Sequence, residues 1–102
     1  MVKLSLEYAK VREVTMVHKN IIIDVADGIR LHEAANIARE MENMDCSCEL
    51  IYGDKRLNAK SQISIISAGI KKGSEVTFEC DGDDEEKALA KLVEMASEGF
   101  KK

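Results

Sequence analysis

The sequence predicts a single α+β domain built on an antiparallel sheet. Short runs of alternating or β-branched apolar residues, typical of strands, are interleaved with segments whose apolar residues recur at helical spacing. The resulting order is strand, helix, strand, strand, helix, strand, helix, and 102 residues suffice for one domain. Helices packed on an antiparallel sheet would bury each of these apolar stripes once.

The first half of the chain carries the first strand and the first helix. Residues 20–25 are mostly β-branched and lead to Gly28, which predicts a buried strand followed by a turn. From Leu31 onward the apolar residues recur with the period of a helix, and one face of that helix collects Ala34, Ile37, Ala38 and Met41.

The second half is predicted to hold three strands and two helices. The strands are expected at residues 46–51, 56–59 and 75–80, and the helices at residues 61–68 and 83–98. Asp83 and Glu86 have the spacing of a capping box at the start of the last helix. The apolar stripe of this helix is expected to contain Leu89, Leu92, Val93 and Ala96.

Residues 1–19 stand apart as an N-terminal extension to a domain at residues 20–102. Alternate residues from Val2 to Tyr8 are apolar, as in a strand, although helical spacing also fits part of this segment, and we favour the strand. These apolar side chains need burial. We therefore expect the extension to dock on the domain or on a second subunit, which would make a homodimer.

Composition narrows the class of protein. The chain is 45% hydrophobic and 33% charged, which is typical of a globular protein, and its formal net charge is −4. A negative chain lacks the clustered positive surface that non-specific binding to nucleic acid or anionic lipid needs. No apolar run approaches the roughly 20 residues that span a bilayer. We expect a cytoplasmic protein that binds neither nucleic acid nor membranes, has no export signal and uses no cofactor.

The three cysteines are predicted to be structural. Cys46 and Cys48 would point to the same face of a strand, where they and Cys80 would be buried as small apolar groups. Their spacing lacks the two-residue gap of common zinc and redox motifs, so we predict no metal site, with metal binding as the weaker alternative. Neither His18 nor His32 has a cysteine near it in the sequence.

Three segments, in order and at matching spacing, carry a family resemblance. They are Gly28-Ile29 followed by Ala34-Ala35, then Asn58-Ala59-Lys60-Ser61 leading to a short apolar helix and Gly69, then residues 74–78 with the acidic turn and helix start at residues 81–89. Over residues 20–98 the chain resembles the HPr phosphocarrier family of the bacterial sugar phosphotransferase system. The resemblance implies an HPr-like open-faced sandwich, a four-stranded antiparallel sheet with three helices on one face in the order βαββαβα, and a protein that is not an enzyme.

The chain departs from the family pattern where the phosphate is carried. Arg30 occupies the position at which the resemblance places the phosphate-carrying histidine, and Leu31, His32 and Glu33 stand where the family has Thr, Arg and Pro. The transfer needs a neutral imidazole nitrogen as nucleophile. A guanidinium stays protonated, so Arg30 could bind a phosphate but not carry it covalently. The resemblance with this departure implies loss of the standard transfer activity.

His32 is the alternative phosphate carrier. It follows Arg30 by two residues, which in a helix is about 200° of rotation and turns the side chain away from the family position. We interpret it as a solvated residue of the first helical turn beside Glu33.

Ser61 is the candidate for regulatory phosphorylation. By resemblance, its family counterpart is phosphorylated by a dedicated kinase in some bacteria, and the phosphorylated form binds a transcription regulator. A phosphate at the start of a short helix would be stabilised by the helix dipole and free amides. The alternative, which we favour, is that Ser61 only caps the helix.

The surroundings of Ser61 supply candidate contact residues. Ile63 and Ile66 are interpreted as partner contacts or core residues, with at least one expected in the core. Arg30 and Lys60 are candidates for anion or partner contact, and the neighbouring cations Lys55, Arg56, Lys71 and Lys72 would extend this basic patch.

The sequence thus leads to a regulatory or interaction module related to the sugar phosphotransferase system. Its expected partners are other proteins: a kinase, a phosphotransfer enzyme or a transcription regulator. The alternatives are an active phosphocarrier that uses His32, and a purely structural module that dimerises through residues 1–19.

Overall fold

Residues 17–101 are described by the computed structural model, and they contain four strands and three helices. The elements are β1 (Val17–Ile22), α1 (Leu31–Glu42), β2 (Cys46–Tyr52), β3 (Lys55–Asn58), α2 (Gln62–Ser67), β4 (Glu75–Gly82) and α3 (Glu85–Ser97). This order confirms the predicted α+β fold and its βαββαβα arrangement. Most of the predicted extension lies outside the described residues, and the domain boundary at residue 20 stays a prediction.

The sheet is antiparallel throughout, with the strands in the order β1-β4-β2-β3. The last strand of the chain therefore lies inside the sheet. Cys80 of β4 is opposite Val17 of β1 on one side and opposite Cys48 of β2 on the other. Because β4 separates β1 from β2, the N-terminal and middle parts of the described chain are joined through it.

The core lies between the sheet and the helices. Alternate side chains of β4 (Val76, Phe78 and Cys80) are at most 1% exposed, as the period of two in the sequence predicts. The helices add buried residues from the predicted stripe of α1 and from α3. The ring of Phe78 lies 6.3 Å from that of Phe100, which is buried beyond the end of α3. This tail residue closes the core against the sheet.

The first strand is displaced from its prediction. β1 covers Val17–Ile22, whereas residues 20–25 were expected in the strand. Ile23 and Val25 are buried but lie beyond β1. The backbone of Ile23 instead exchanges hydrogen bonds with the loop before β4, through Ser74 and Gly73. The apolar run at residues 20–25 thus correctly predicted buried residues. It did not predict the end of the strand, because a residue can be buried without pairing in the sheet.

The start and the buried stripe of α3 also differ from prediction. The N-cap residue is Asp84, so the expected capping box of Asp83 and Glu86 is wrong. The Asp84 carboxylate accepts a hydrogen bond from the backbone N–H of Asp45 at 2.7 Å and ties this helix to the start of β2. The buried residues of the helix include Ala88, Leu92 and Met95, whereas Val93 is 40% exposed. The stripe is thus rotated from the predicted one, and it includes Met95 and Ala88, which the prediction left out.

Candidate functional site

A tight loop fixes where α1 begins. Gly28 has a positive φ of 74°, its N–H donates to the carbonyl of Val25 at 2.8 Å, and the N–H of Ile29 donates to the carbonyl of Ile70 at 3.0 Å. A Cβ atom at Gly28 would lie 2.3 Å from the Ile70 oxygen. Glycine is therefore required both for the backbone conformation and for the close approach of the two loops. This loop places Arg30 at the N-terminus of α1.

Arg30 is the exposed N-cap residue of α1. Its backbone is extended, its carbonyl accepts the N–H of Ala34, and its own N–H donates to the Glu33 carboxylate at 3.1 Å. Its guanidinium has no hydrogen-bonding or ion-pairing partner within residues 17–101 and is available to an anion. The Glu33 carboxylate places a negative charge in the first turn, where a bound phosphate would otherwise profit from the helix dipole.

His32 is exposed on the first turn of α1 and is directed along the helix. Its Nε2 lies 3.4 Å from the side-chain nitrogen of Asn36. Asn36 is buried; it donates to the carbonyl of Phe100 at 2.9 Å and accepts from Arg39. The imidazole therefore lies beside a structural contact that holds the C-terminal tail.

Ser61 is the N-cap residue of α2. Its hydroxyl accepts the N–H of Ser64 at 3.3 Å, and its backbone N–H donates to the carbonyl of Asn58 at 3.0 Å. The residue is partly exposed. Its hydroxyl can therefore both cap the helix and meet a second protein at the surface.

The predicted basic residues are divided among separate contacts. The Lys60 ammonium donates to the carbonyl of Met44 at 3.1 Å. Arg56 bridges the carboxylates of Glu49 and Glu79 on the sheet. These engaged cations contrast with Arg30, whose charge faces solvent.

The N-terminal turns of α1 and α2 adjoin and expose large apolar side chains. The side chain of Gln62 donates to the carbonyl of Leu31 at 3.3 Å and so joins the two turns. Leu31 is 66% exposed, Ile63 80% and Ile66 37%. We call Arg30, Leu31, Gln62, Ile63 and Ile66 the α1–α2 surface.

The core residue of α2 is Ile65, which is 1% exposed. The expectation that Ile63 or Ile66 belongs to the core is therefore wrong. Leu31 was not singled out as a contact residue from the sequence. Its spacing, three residues before Ala34 and seven before Ala38, places it at the edge of the apolar stripe of α1, so the sequence pattern does not distinguish it from a core residue.

The three thiols form a cluster inside the sheet. Cys48 and Cys80 are buried as predicted, whereas Cys46 is only half-buried, and its sulfur lies 3.6 Å from that of Cys48. Burial, and then the contact with Cys48, raises the pKa of Cys46 to about 12. A hydrogen bond from Cys48 to Cys80 raises the pKa of Cys48 and lowers that of Cys80.

Comparison with known proteins gives the family. The sequence model of the PTS-HPr family, described as the PTS HPr component phosphorylation site, matches residues 17–98. This chain belongs to the PTS-HPr family. The phosphocarrier protein HPr of Buchnera aphidicola subsp. Schizaphis graminum is 32% identical over 83 residues, which are 81% of this chain and 98% of that relative.

Solved structures agree with the sequence relationship. HPr-C-His from Thermoanaerobacter tengcongensis matches with a TM-score of 0.80 and 28% identity, covering 84% of this chain and 97% of that one. The Bacillus subtilis catabolite repression protein Crh, described as a domain-swapped dimer, matches with a TM-score of 0.65 and 29% identity over 81% of this chain and 95% of its own. The HPr-like sandwich expected from the sequence is thereby confirmed.

Within residues 17–101, no helix has the length and apolar character needed to cross a membrane.

Proposed function

We propose that this member of the PTS-HPr family is a regulatory protein-binding module that does not carry phosphate at Arg30. The observation that carries the proposal is the exposure of Leu31 and Ile63 where α1 and α2 meet. Neither side chain contributes to the core, and adjoining exposed apolar residues are typical of a protein interface. The expected partners are a kinase, a phosphotransfer enzyme or a transcription regulator.

The chemistry at the start of α1 supports the loss of phosphate transfer. Arg30 has no lone pair available for attack on phosphorus, because its guanidinium is protonated at any physiological pH. The Glu33 carboxylate, bonded to the Arg30 N–H at 3.1 Å, would also repel a phosphoryl group held at the helix N-terminus. Two independent features therefore oppose a phosphorylated intermediate here.

The composition of the α1–α2 surface suits a protein partner. An exposed arginine beside leucine and isoleucine combines a hydrogen-bonding cation with apolar contact area, and arginine is enriched in interface hot spots. The bond from Gln62 to the Leu31 carbonyl holds the two helix starts together. The surface is therefore organised before a partner arrives, which lowers the entropic cost of binding.

Ser61 is the proposed point of control. A phosphate on its hydroxyl would add about two negative charges next to the exposed Ile63. The same group would lie near the Ser64 N–H, which the hydroxyl already contacts. Phosphorylation would thus change the charge of the α1–α2 surface without refolding α2.

Exposure to a phosphate donor tests the proposal directly. The full chain is incubated with phosphoenolpyruvate and the general phosphotransfer enzyme, and phosphohistidine is measured by mass spectrometry at alkaline pH. We expect none, while a standard HPr in the same reaction is phosphorylated. Phosphohistidine at His32 would overturn the proposal and establish the alternative carrier.

A gain-of-function variant sharpens this test. Arg30→His combined with Glu33→Ala supplies an imidazole and removes the competing carboxylate, so phosphate acceptance is expected to rise above that of the parent chain. Arg30→His alone is the matched control and should gain less. If neither variant accepts phosphate and both fold, the assignment of Arg30 to the histidine position is contradicted.

Binding measurements test the surface itself. Calorimetry with the general phosphotransfer enzyme and with a transcription regulator that recognises phosphorylated HPr should find a partner whose affinity falls on Ile63→Ser. Ile22→Ser is the control, since Ile22 is also exposed, at 59%, but belongs to β1. Equal effects of the two substitutions would argue against the α1–α2 surface.

The kinase hypothesis needs its own variant. Incubation with ATP and an HPr kinase should label the parent chain and fail to label Ser61→Ala. Ser67→Ala, an exposed serine at the end of the same helix, should be labelled like the parent. Undiminished labelling of Ser61→Ala would remove Ser61 from the proposal.

Self-association is the remaining proposal for this family member. Crh is described as a domain-swapped dimer, and the apolar N-terminal segment was predicted to dock on the domain or on a second subunit. A chain lacking residues 1–16 keeps all six residues of β1. Light scattering should give a smaller oligomer for this chain than for the full one, and an unchanged stoichiometry would exclude dimerisation through the segment.

A further inference from the structure

A cluster of three thiols lies outside the α1–α2 surface and has no part in the proposed function. Cys46 and Cys48 are neighbours on the inner face of β2, and Cys80 lies opposite Cys48 on β4. A cleft of about 540 Å³ opens beside this part of β2, lined by Cys46, Ser47, Cys48, Glu49, Asn58 and Lys60. Of the three cysteines, Cys46 is the one that is partly exposed to solvent.

The backbone shows what kind of pair Cys48 and Cys80 form. The carbonyl of Cys48 accepts the N–H of Ala59 at 2.9 Å, so it points toward the β3 side of the strand. The N–H and C=O of one strand residue point to the same side of the strand, so Cys48 has no backbone group directed toward β4. The two cysteines are therefore a non-hydrogen-bonded antiparallel pair, whose Cα atoms are about 4.5 Å apart. This separation falls within the range that a disulfide can bridge.

Cys46 differs from Cys48 in having no side chain opposite it on β4. It faces Gly82, whose added Cβ would lie 2.6 Å from the Cα of Cys46, so no side chain can stand opposite it. Two residues along a strand are about 6.6 Å apart, close to the upper limit of about 6.8 Å for a disulfide. A bond between Cys46 and Cys48 would thus form at the long end of the range, and one between Cys48 and Cys80 at the short end.

We propose that Cys46 is the entry point of a thiol relay in which a small disulfide such as glutathione disulfide oxidises the chain and leaves a Cys48–Cys80 cross-strand bond. The Cys46 thiolate attacks the small disulfide, forms a mixed disulfide and releases one thiolate. Cys48 attacks the Cys46 sulfur and expels the second glutathione thiolate. Cys80 then attacks the Cys48 sulfur, and Cys46 leaves as a thiolate and is protonated.

The relay balances and has a built-in direction. Two protein thiols lose two electrons and two protons, and one glutathione disulfide becomes two glutathione molecules. The bond between neighbours on β2 includes the half-buried Cys46 and is open to external thiols, whereas Cys48 and Cys80 are 2% and 0% exposed, so the bond between the strands is shielded and persists. The raised pKa of Cys46 and that of Cys48 make the first and second attacks slow at neutral pH, so the product accumulates only under sustained oxidation.

Tryptic mapping without reductant tests this relay in the full chain. Cys46 and Cys48 share the tryptic peptide 40–55, whereas Cys80 lies in peptide 73–87. With glutathione disulfide at pH 8.5, the wild-type chain should yield the two peptides joined through Cys48 and Cys80. Cys80→Ala should stop at a bond within peptide 40–55 or at glutathionylated Cys46. Cys46→Ala should form the joined peptides far more slowly.

The contrary results are equally distinct. Absence of joined peptides in the wild-type chain would overturn the relay, and so would oxidation of Cys46→Ala at the wild-type rate. Cys46 is half-buried, so its alanine variant is expected to fold, which circular dichroism checks. If Cys80→Ala does not fold, the comparison of the wild-type chain with Cys46→Ala still decides the matter.

Discussion

Phe78 of β4 and Ile63 of α2 are both large apolar side chains, yet Phe78 is 1% exposed and Ile63 is 80% exposed. The first belongs to the buried face of the sheet, where β4 packs against the tail residue Phe100. The second belongs to the α1–α2 surface. Folding accounts for the first residue, because burying a phenylalanine stabilises the domain. It does not account for the second, which gains nothing from folding, so its role is sought in binding.

The two regions also differ in how they hold polar groups. In the interior, the buried side chain of Asn36 has defined partners in Phe100 and Arg39. At the α1–α2 surface, the Arg30 guanidinium has no partner among residues 17–101. A buried polar group must be satisfied within the fold, whereas an exposed one can await a ligand. The contrast agrees with a stabilising role for the interior and with the proposed role of the α1–α2 surface in recognition, and four predictions test this division.

A large effect is expected at the thiol at the margin of the buried face. Burial raises the pKa of Cys46 to about 12 from the ordinary 9.0, which lowers its thiolate fraction at pH 8 by about a thousandfold, but the more basic thiolate is the better nucleophile. Its alkylation at pH 8 should therefore be roughly 30-fold slower in the folded chain than in urea. Iodoacetamide labelling of peptide 40–55, followed by mass spectrometry, measures the rate at Cys46.

The raised pKa of Cys46 also determines how the stability of the domain depends on pH. Because the pKa in the folded chain is raised, the stability from the neutral thiol is fully present below pH 9 and lost as the pH rises from about 9 toward 12. The labelling rate of the folded chain should therefore keep rising with pH above 9, while that of the unfolded chain levels off. If the labelling rate instead levels off near pH 9 in both the folded and the unfolded chain, Cys46 is not buried enough in the folded chain to shift its pKa.

Phe78→Ala should cost about 3–5 kcal/mol of the free energy of unfolding, because it removes a fully buried ring and leaves a cavity beside Phe100. Urea denaturation followed by circular dichroism measures the loss. Val93→Ala is the control: Val93 is apolar but 40% exposed on α3 and should change stability by about 0.5 kcal/mol or less. Similar losses for both variants would contradict the assignment of the core.

The interior was the part of the molecule that the sequence predicted best. The stripe of α1 and the alternation of β4 are strictly periodic, and both are buried as expected. Errors arose where tertiary contacts override local pattern. Asp84 occupies the N-cap position of α3, but its carboxylate accepts a hydrogen bond from the distant Asp45 and does not cap the helix, and no local spacing reveals that partner. The rotation of the α3 stripe has the same origin, since the helix docks by its alanine and methionine residues.

The candidate site was harder to predict, for a physical reason. Periodicity reports which residues are buried, whereas a binding surface consists of residues that burial does not explain. Ile63 was foreseen as a contact candidate, but Leu31 joins it only because α2 returns to the start of α1 through Gln62. Adjacency of two helix starts that lie 31 residues apart in the chain is a property of the fold. It cannot be read from either segment alone.

Ser61→Ala should lower the free energy of unfolding by about 1 kcal/mol, because the hydroxyl caps α2 through the N–H of Ser64. Thermal melting measures the change. Ser67→Ala, on the same helix, removes a hydroxyl that only donates back to the carbonyl of Ser64, so a smaller change is expected. If Ser61→Ala leaves the free energy of unfolding unchanged, the hydroxyl does not stabilise α2 as a cap. Its only proposed role would then be in recognition, at the edge of the α1–α2 surface.

The smallest expected effect is the most informative for the comparison. Ile63→Ser should change the free energy of unfolding by about 0.5 kcal/mol or less, because the side chain is already 80% in contact with water and leaves no cavity. Ile65→Ser, two residues along α2, is the matched contrast: it places a hydroxyl at a position that is 1% exposed and should destabilise the domain by several kcal/mol. Parallel urea titrations of the two variants measure both changes. Should Ile63→Ser prove as costly as Ile65→Ser, Ile63 would be a core residue in solution, and the case for a binding surface built on its exposure would fail.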